Sequence, residues 1–215
     1  MRRNMLSAIL VVLVIFSAAV SAQELTGVKL PAPDTEGGMP LMQALKNRST
    51  SREFAAEELP LQTMSNLLWA AFGINRADSG KRTAPSAVNW QEIDIYVVTK
   101  TGAYIYDAKE HSLKPAVAGD LRAYTGKQAF VETAPVNLVY VADLSKMGGG
   151  NREDKEKTAF ADTGFIAQNV YLFCASEGLA TVVRGLVDKP ALAKVLKLRN
   201  DQVITLAHTV GYPKR

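Results

Sequence analysis

Residues 48–54 read Arg48-Ser49-Thr50-Ser51-Arg52-Glu53-Phe54, placing two guanidinium groups four residues apart among three hydroxyls. Planar, permanently charged forks and short hydroxyl donors are what a phosphate group binds. The segment therefore reads as an anion cradle, with a solvated turn after a short helix as the simpler alternative. A second segment, Ala84-Pro85-Ser86-Ala87-Val88-Asn89-Trp90-Gln91, adds two carboxamides behind a Pro-Ser turn. The proline holds Ala84 extended. Asn89 and Gln91 can each donate and accept at once. That pattern suits a heterocycle edge on which carbonyl oxygens alternate with ring NH, a flavin being the natural example.

Other chemistries are poorly served. There is no Gly-rich dinucleotide fingerprint after a strand and no phosphate-loop lysine motif. The two histidines are far apart: His111 lies in a polar turn and His208 inside an apolar run. Neither has an acid or cysteine cluster for a metal or a nucleophile for a hydrolytic triad. The single cysteine, Cys174, falls in an apolar helical stretch and reads as core packing.

The elements that must position the two segments follow from periodicity. Residues 1–22 carry Arg2 and Arg3, an apolar run from Leu6 to Phe16 and a small-residue exit. This is the pattern of a secretory signal peptide cut after Ala22, with export to the periplasm as its consequence. Its removal leaves 193 of the 215 residues and lowers the net charge from +4 to +2, since the segment holds two Arg and no acid. No basic stripe points to nucleic acid. Residues 23–39 read as an extended lead-in and 40–215 as one domain. Pro40 starts a short helix with Leu41, Met42 and Leu45 on its apolar side, and Pro60 starts a second that Gly73 stops. Residues 74–91 read as a long loop. Ile93–Val98 and Ala103–Tyr106 alternate like a hairpin, and Val136–Ala142 is an apolar strand. A loop around Gly148-Gly149-Gly150 precedes a long helix over about 155–177. Ala180–Val183, Pro190–Leu196 and Val203–Val210 then read as strand, helix and strand. A hairpin followed by strands separated by helices predicts an α+β fold with a mixed, mainly antiparallel sheet flanked by helices in three layers.

In this order the segments resemble the nitroreductase family of FMN-dependent oxidoreductases, over nearly all of residues 40–213. Residues 48–54 resemble its first flavin segment and Pro85–Gln91 its second. Asp162-Thr163-Gly164 with Ala167-Gln168-Asn169 is similar to its long interface helix. Leu67–Gly73, Tyr104-Ile105-Tyr106-Asp107 and Gly211-Tyr212-Pro213 look most like the branch related to thiazole/oxazole-forming dehydrogenases. The resemblance implies a homodimer with FMN in a groove between subunits, and electron transfer from NAD(P)H or another donor to an electron-poor small molecule. Carried over by position, Arg48 would meet the FMN phosphate with Ser49 and Thr50 beside it. Arg52 would face the pyrimidine edge, and Pro85, Ser86 and Asn89 would hold the ring and ribityl side. Arg184 and Gly185 would offer backbone N–H groups near N5, with Arg184 standing where some members carry an acid. A basic tail residue, here Arg215, would complete the phosphate contact. Substrate-selecting loops are expected at residues 108–130 and 145–155. No catalytic side chain and no metal ligand are assigned, because the cofactor carries the chemistry. A flavin-binding protein without enzymatic activity, or a cofactor-free interaction protein on the same fold, stay open as alternatives.

Overall fold

The computed structural model of the protein describes residues 24–214; the segment expected to be a signal peptide, with its cut after Ala22, and Arg215 lie outside them. Helix α1 spans Leu41–Asn47 and α2 spans Leu61–Phe72. Pro40 and Pro60 stand just before them, where a missing N–H costs nothing. A seven-stranded sheet forms the middle layer. Its strands are β1 (Val28–Lys29), β4 (Ile93–Val98), β5 (Gly102–Asp107), β6 (Ser112–Ala118), β7 (Val136–Asp143), β8 (Ala180–Arg184) and β9 (Gln202–Gly211), in the order β1-β6-β5-β4-β7-β9-β8. A small separate hairpin joins β2 (Ile74–Arg76) and β3 (Lys81–Arg82). Short helices α3 (Phe130–Thr133) and α5 (Lys189–Val195) complete the set around the long helix α4, Arg152–Glu177.

Helix α4 follows from its sequence. Asn151 caps it by accepting the Asp154 N–H at 2.9 Å, and Glu153 and Asp154 oppose the helix dipole in the first turn. Gly178 ends it in the left-handed conformation, φ +68°, which a side chain would resist. Ala159, Asp162, Thr163, Ile166, Ala167, Val170, Tyr171 and Cys174 form one buried stripe against the sheet. Leu67, Leu68 and Ala71 of α2 share the same core with Ile95, Val97, Leu138 and Tyr140. Cys174 is core, as expected, and burial pushes its thiol up to about 12. Behind the sheet, Leu192 of α5 packs with Tyr96, Val139, Val141 and Ile204.

Every pairing in the seven-stranded sheet is antiparallel. Helix α4 returns the chain so that β8 runs in the direction of β7, but β9 slots between them and opposes both. The parallel component expected from the strand–helix–strand order therefore has no ladder among the described residues. Strand β6 is a further difference, since it occupies part of the span 108–130 near which substrate-selecting loops were expected. Pro115 sits in it opposite Tyr104, where the register shifts, and β1 covers only Ser112 and Leu113. A proline is tolerated at such a bulged, largely uncovered position. Residues 112–118 thus lie near the sheet edge opposite β8.

Candidate functional site

Segment 48–54 leaves α1 and runs between β8 and the C-terminal strand end. The Ser51 N–H donates to the Thr181 carbonyl at 3.0 Å and the Ala55 N–H to Tyr212 at 2.9 Å. Phe54 bridges to Pro213, and the Lys214 N–H reaches the Glu53 carbonyl. The tail therefore returns alongside the segment, although Arg215 itself lies outside the described residues. Tyr171 of α4 is the hub. Its hydroxyl accepts the Val183 N–H at 3.0 Å and bonds Thr50 Oγ1 at 3.1 Å. The Arg48 guanidinium lies 5.3 Å from the centre of its ring. Arg48 is half-buried, while Ser49, Thr50 and Arg52 face solvent. Among the described residues neither Arg48 nor Arg52 makes an ion pair. The Arg48 guanidinium with the Ser49 and Thr50 hydroxyls on a braced backbone fits a phosphate, and the Arg52 guanidinium is left free for another part of a ligand.

His208 packs under this hub, 4.9 Å from the Tyr171 ring centre. Its Nδ1 bonds the Tyr140 hydroxyl at 3.1 Å, and burial, with Arg184 nearby, pushes it down to about 3. It is a neutral core residue, without a role as base. His111 is likewise structural, tying Ser65 and Tyr106 together at 2.7 and 3.0 Å.

Loop 86–91 is fixed by many contacts and strained. Val88, Asn89 and Gln91 have φ of +51°, +58° and +50°. For a β-branched valine this is a rare conformation, held only where surroundings over-determine it. The Ala87 N–H donates to Asp162 Oδ2 at 2.8 Å, and the Gln91 N–H to Ser86 Oγ at 3.0 Å. Gln91 is the main brace. Its amide reaches Gly80 and Asn89, and its oxygen accepts Arg82 Nε at 2.8 Å. That corrects the reading of Gln91 as a ring-facing carboxamide: its side chain is spent inside the loop. Asn89 is exposed, Ser86 half-buried, and Val88 stands 82% exposed at the tip.

Arg184 turns away from the hub. On the opposite face of β8 it donates through Nε to Thr209 Oγ1 at 3.1 Å, through Nη1 to the Thr125 carbonyl at 2.7 Å, and through Nη2 to Asn137 Oδ1 at 3.0 Å. Its side chain is thus a core strut, and burial lowers its pKa to about 10. Gly185, just past the end of the strand, is exposed.

The structure therefore gathers Arg48, Thr50 and the end of β8 around Tyr171. It holds Ser86 and Asn89 at a second station, by Asp162. The two anchors are nine residues apart on α4, about 13 Å along the axis. Two cavities, of about 690 and 510 Å³, include none of Arg48, Arg52, Ser86 and Asn89. Tyr171 and Asp162 were not assigned to the site from the sequence. An aspartate within the buried stripe of α4 was the available signal.

The sequence profile of the Nitroreductase family matches residues 45–212. MJ1384, a candidate nitroreductase of Methanocaldococcus jannaschii, is 29% identical over 189 residues, covering 83% of this chain and 94% of that protein. The crystal structure of a candidate nitroreductase from Ralstonia eutropha superposes with a TM-score of 0.84 at 42% identity, over 89% of this chain and 91% of that one. One from Desulfovibrio desulfuricans, solved in complex with FMN, shares the fold with a TM-score of 0.60 at 21% identity, over 83% of this chain and 89% of that one.

Proposed function

The chain belongs to the nitroreductase family of oxidoreductases, and on that premise we propose that it is an exported, FMN-dependent enzyme working as a homodimer. The observation that carries the reading is the pair of unpaired guanidinium groups, Arg48 and Arg52, on the Tyr171-braced segment. The FMN complex of the Desulfovibrio neighbour supports it.

Arg48, Ser49 and Thr50 hold the phosphate, with Arg215 approaching along the returning tail. Arg52 faces the pyrimidine edge, where a cation favours the reduced, anionic ring. Pro85, Ser86 and Asn89 hold the ring and ribityl side, and the backbone of Arg184 and Gly185 faces N5. The chemistry supplied by bound FMN is ping-pong transfer of hydride or electrons from NAD(P)H or another donor to an electron-poor small molecule such as a nitro or quinone compound. The protein's part is to bind, orient and tune, with no side chain as acid or base.

Dimerisation is supported by apolar side chains left outside. Leu41, Met42 and Leu45 of α1 are 62%, 76% and 43% exposed. Phe160 and Phe165 flank Gly164 on the outer face of α4, where an added Cβ would meet nothing. Grouped exposed apolar residues of this kind mark an interaction surface. A second copy seated there brings a loop station toward a Tyr171 station, which one chain keeps apart. Export rests on residues 1–22. Among the described residues no helix is long and apolar enough to cross a membrane. The likeness of residues 67–73, 104–107 and 211–213 to the thiazole/oxazole-forming branch supports a relation to that branch.

The test is the visible spectrum of purified residues 23–215, followed by anaerobic mixing with NADH or NADPH. A yellow protein bleached by either donor is expected. A protein that stays colourless with added FMN ends the flavin reading, and flavin absorbance unchanged by both donors ends the nicotinamide part of it.

A further inference from the structure

Glu92 is fully buried at the start of β4, and neither of its side-chain oxygens has a hydrogen-bond partner. Asp162, 4% exposed on α4, faces it. Asp162 already spends Oδ2 on the Ala87 N–H of the strained loop. Two acceptors facing each other in the core with no donor between them cannot both be ionised. The cations nearby are committed elsewhere. Lys146, on the turn after β7, is paired with Asp94 at 2.7 Å. Lys155 of α4 donates to the Leu144 and Met147 carbonyls. Asp143, whose N–H donates to the Glu92 carbonyl, is held by Arg199 at 2.8 Å.

We propose that Glu92 and Asp162 share one proton, donated by the Glu92 carboxyl, and that this shared proton is the positioning device that fixes Asp162 on Ala87 and so holds loop 86–91 in its strained shape. Burial and the neighbouring carboxylate together raise Glu92 to about 7, so the proton leaves near neutral pH. Loss of that proton sets two carboxylates against each other, turns Asp162 off the Ala87 N–H and lets Val88 and Asn89 relax toward ordinary backbone angles. Resting on the FMN reading, the inference adds that flavin affinity falls as the solution becomes alkaline, through Ser86 and Asn89 and not through Arg48.

The variants separate the parts. Glu92→Gln keeps a donor toward Asp162 at every pH. Asp162→Asn accepts the Ala87 N–H through Oδ1 and offers Nδ2 to an ionised Glu92, so Glu92 still titrates but no longer sets two carboxylates against each other. Asp162→Ala loses the anchor at every pH.

Three readouts on the full mature chain decide it: the infrared difference spectrum between about pH 6 and about pH 8.5, Trp90 emission within the loop, and FMN titration. In the wild type a carboxylic C=O band is expected to vanish near neutral pH, with Trp90 emission shifting on the same curve and FMN affinity falling several-fold. Glu92→Gln flattens all three, and Asp162→Asn flattens the emission and affinity curves. Asp162→Ala gives weak, pH-independent FMN binding. A band that survives in Glu92→Gln, or emission and affinity curves that are identical in wild type and Glu92→Gln, overturns the proposal. If FMN binds at no pH, the flavin reading fails by itself. The infrared and emission curves then still support or overturn the shared proton.

Discussion

Arg184 and Glu92 are both sealed from solvent, and among the described residues neither has a partner of opposite charge in contact. Their surroundings differ in kind. Arg184 has Thr209, Thr125 and Asn137 as acceptors and the Phe130 ring 5.8 Å from its charge. Those acceptors are themselves ordered: Thr209 donates to Asn137 at 2.6 Å, and Asn137 donates to the Val131 carbonyl at 2.9 Å. No other described residue donates to the Glu92 carboxyl, and the one donor close to it is its own backbone N–H. A buried charge whose hydrogen bonds are complete keeps its charge and acts as a strut. One whose oxygens are orphaned gives up its charge near neutral pH. The first site braces β7, β8 and β9. The second sits under the strained loop, where a change of protonation can be felt.

The largest effect expected from this contrast is at Arg184. Arg184→Ala strands three acceptors in the core and costs about 3–5 kcal/mol of stability, read by denaturant unfolding. A loss under about 1 kcal/mol would show that the strut is not one. Glu92→Gln should act in the opposite direction. Its pKa is raised from 4.5 to about 7 by folding, so the native state holds the extra proton between those values. Stability is then greatest below the unfolded pKa and declines as pH rises toward 7. Removing the titration with Gln is expected to stabilise the protein by about 2–3 kcal/mol above pH 7 and to change little near pH 4.5. Equal slopes in wild type and variant would place the titration elsewhere. Gly126→Ala comes next, because a Cβ there would stand 2.0 Å from Arg184 Nη1. With Nη1 fixed on Thr125, that overpacking should cost about 1–3 kcal/mol. The cost should shrink in an Arg184→Ala background to what the remaining approach to Gln128 Oε1, 2.8 Å from that Cβ, requires, a non-additivity that reports the Arg184 contact.

Both sites also mark where sequence reasoning stopped. Strands β4, β5, β7 and β9 were legible because alternation and β-branched runs survive in one dimension, and α4 because its buried stripe recurs every three or four residues. Strand β6 was hidden by Pro115, which its bulge tolerates. The start of α4 was hidden by three glycines before the Asn151 cap. Leu41, Met42 and Leu45 were legible as an apolar face, but they point outward and Ala44 points in. Segments 48–54 and 85–91 could be picked out by residue type. Their anchors could not, since Tyr171 and Asp162 are brought to them from more than seventy residues away. The inward turn of Arg184 follows from the strand pairing of β8 with β9, which no local pattern encodes.

The most direct test of the central claim is an equilibrium titration of the mature protein with FMN, comparing wild type with Arg48→Ala. Saturable binding, weakened by about 1.5–3 kcal/mol when the charged hydrogen bond to the phosphate is lost, is the expected result. Equal affinity in both proteins would contradict the assignment of Arg48 to the cofactor phosphate.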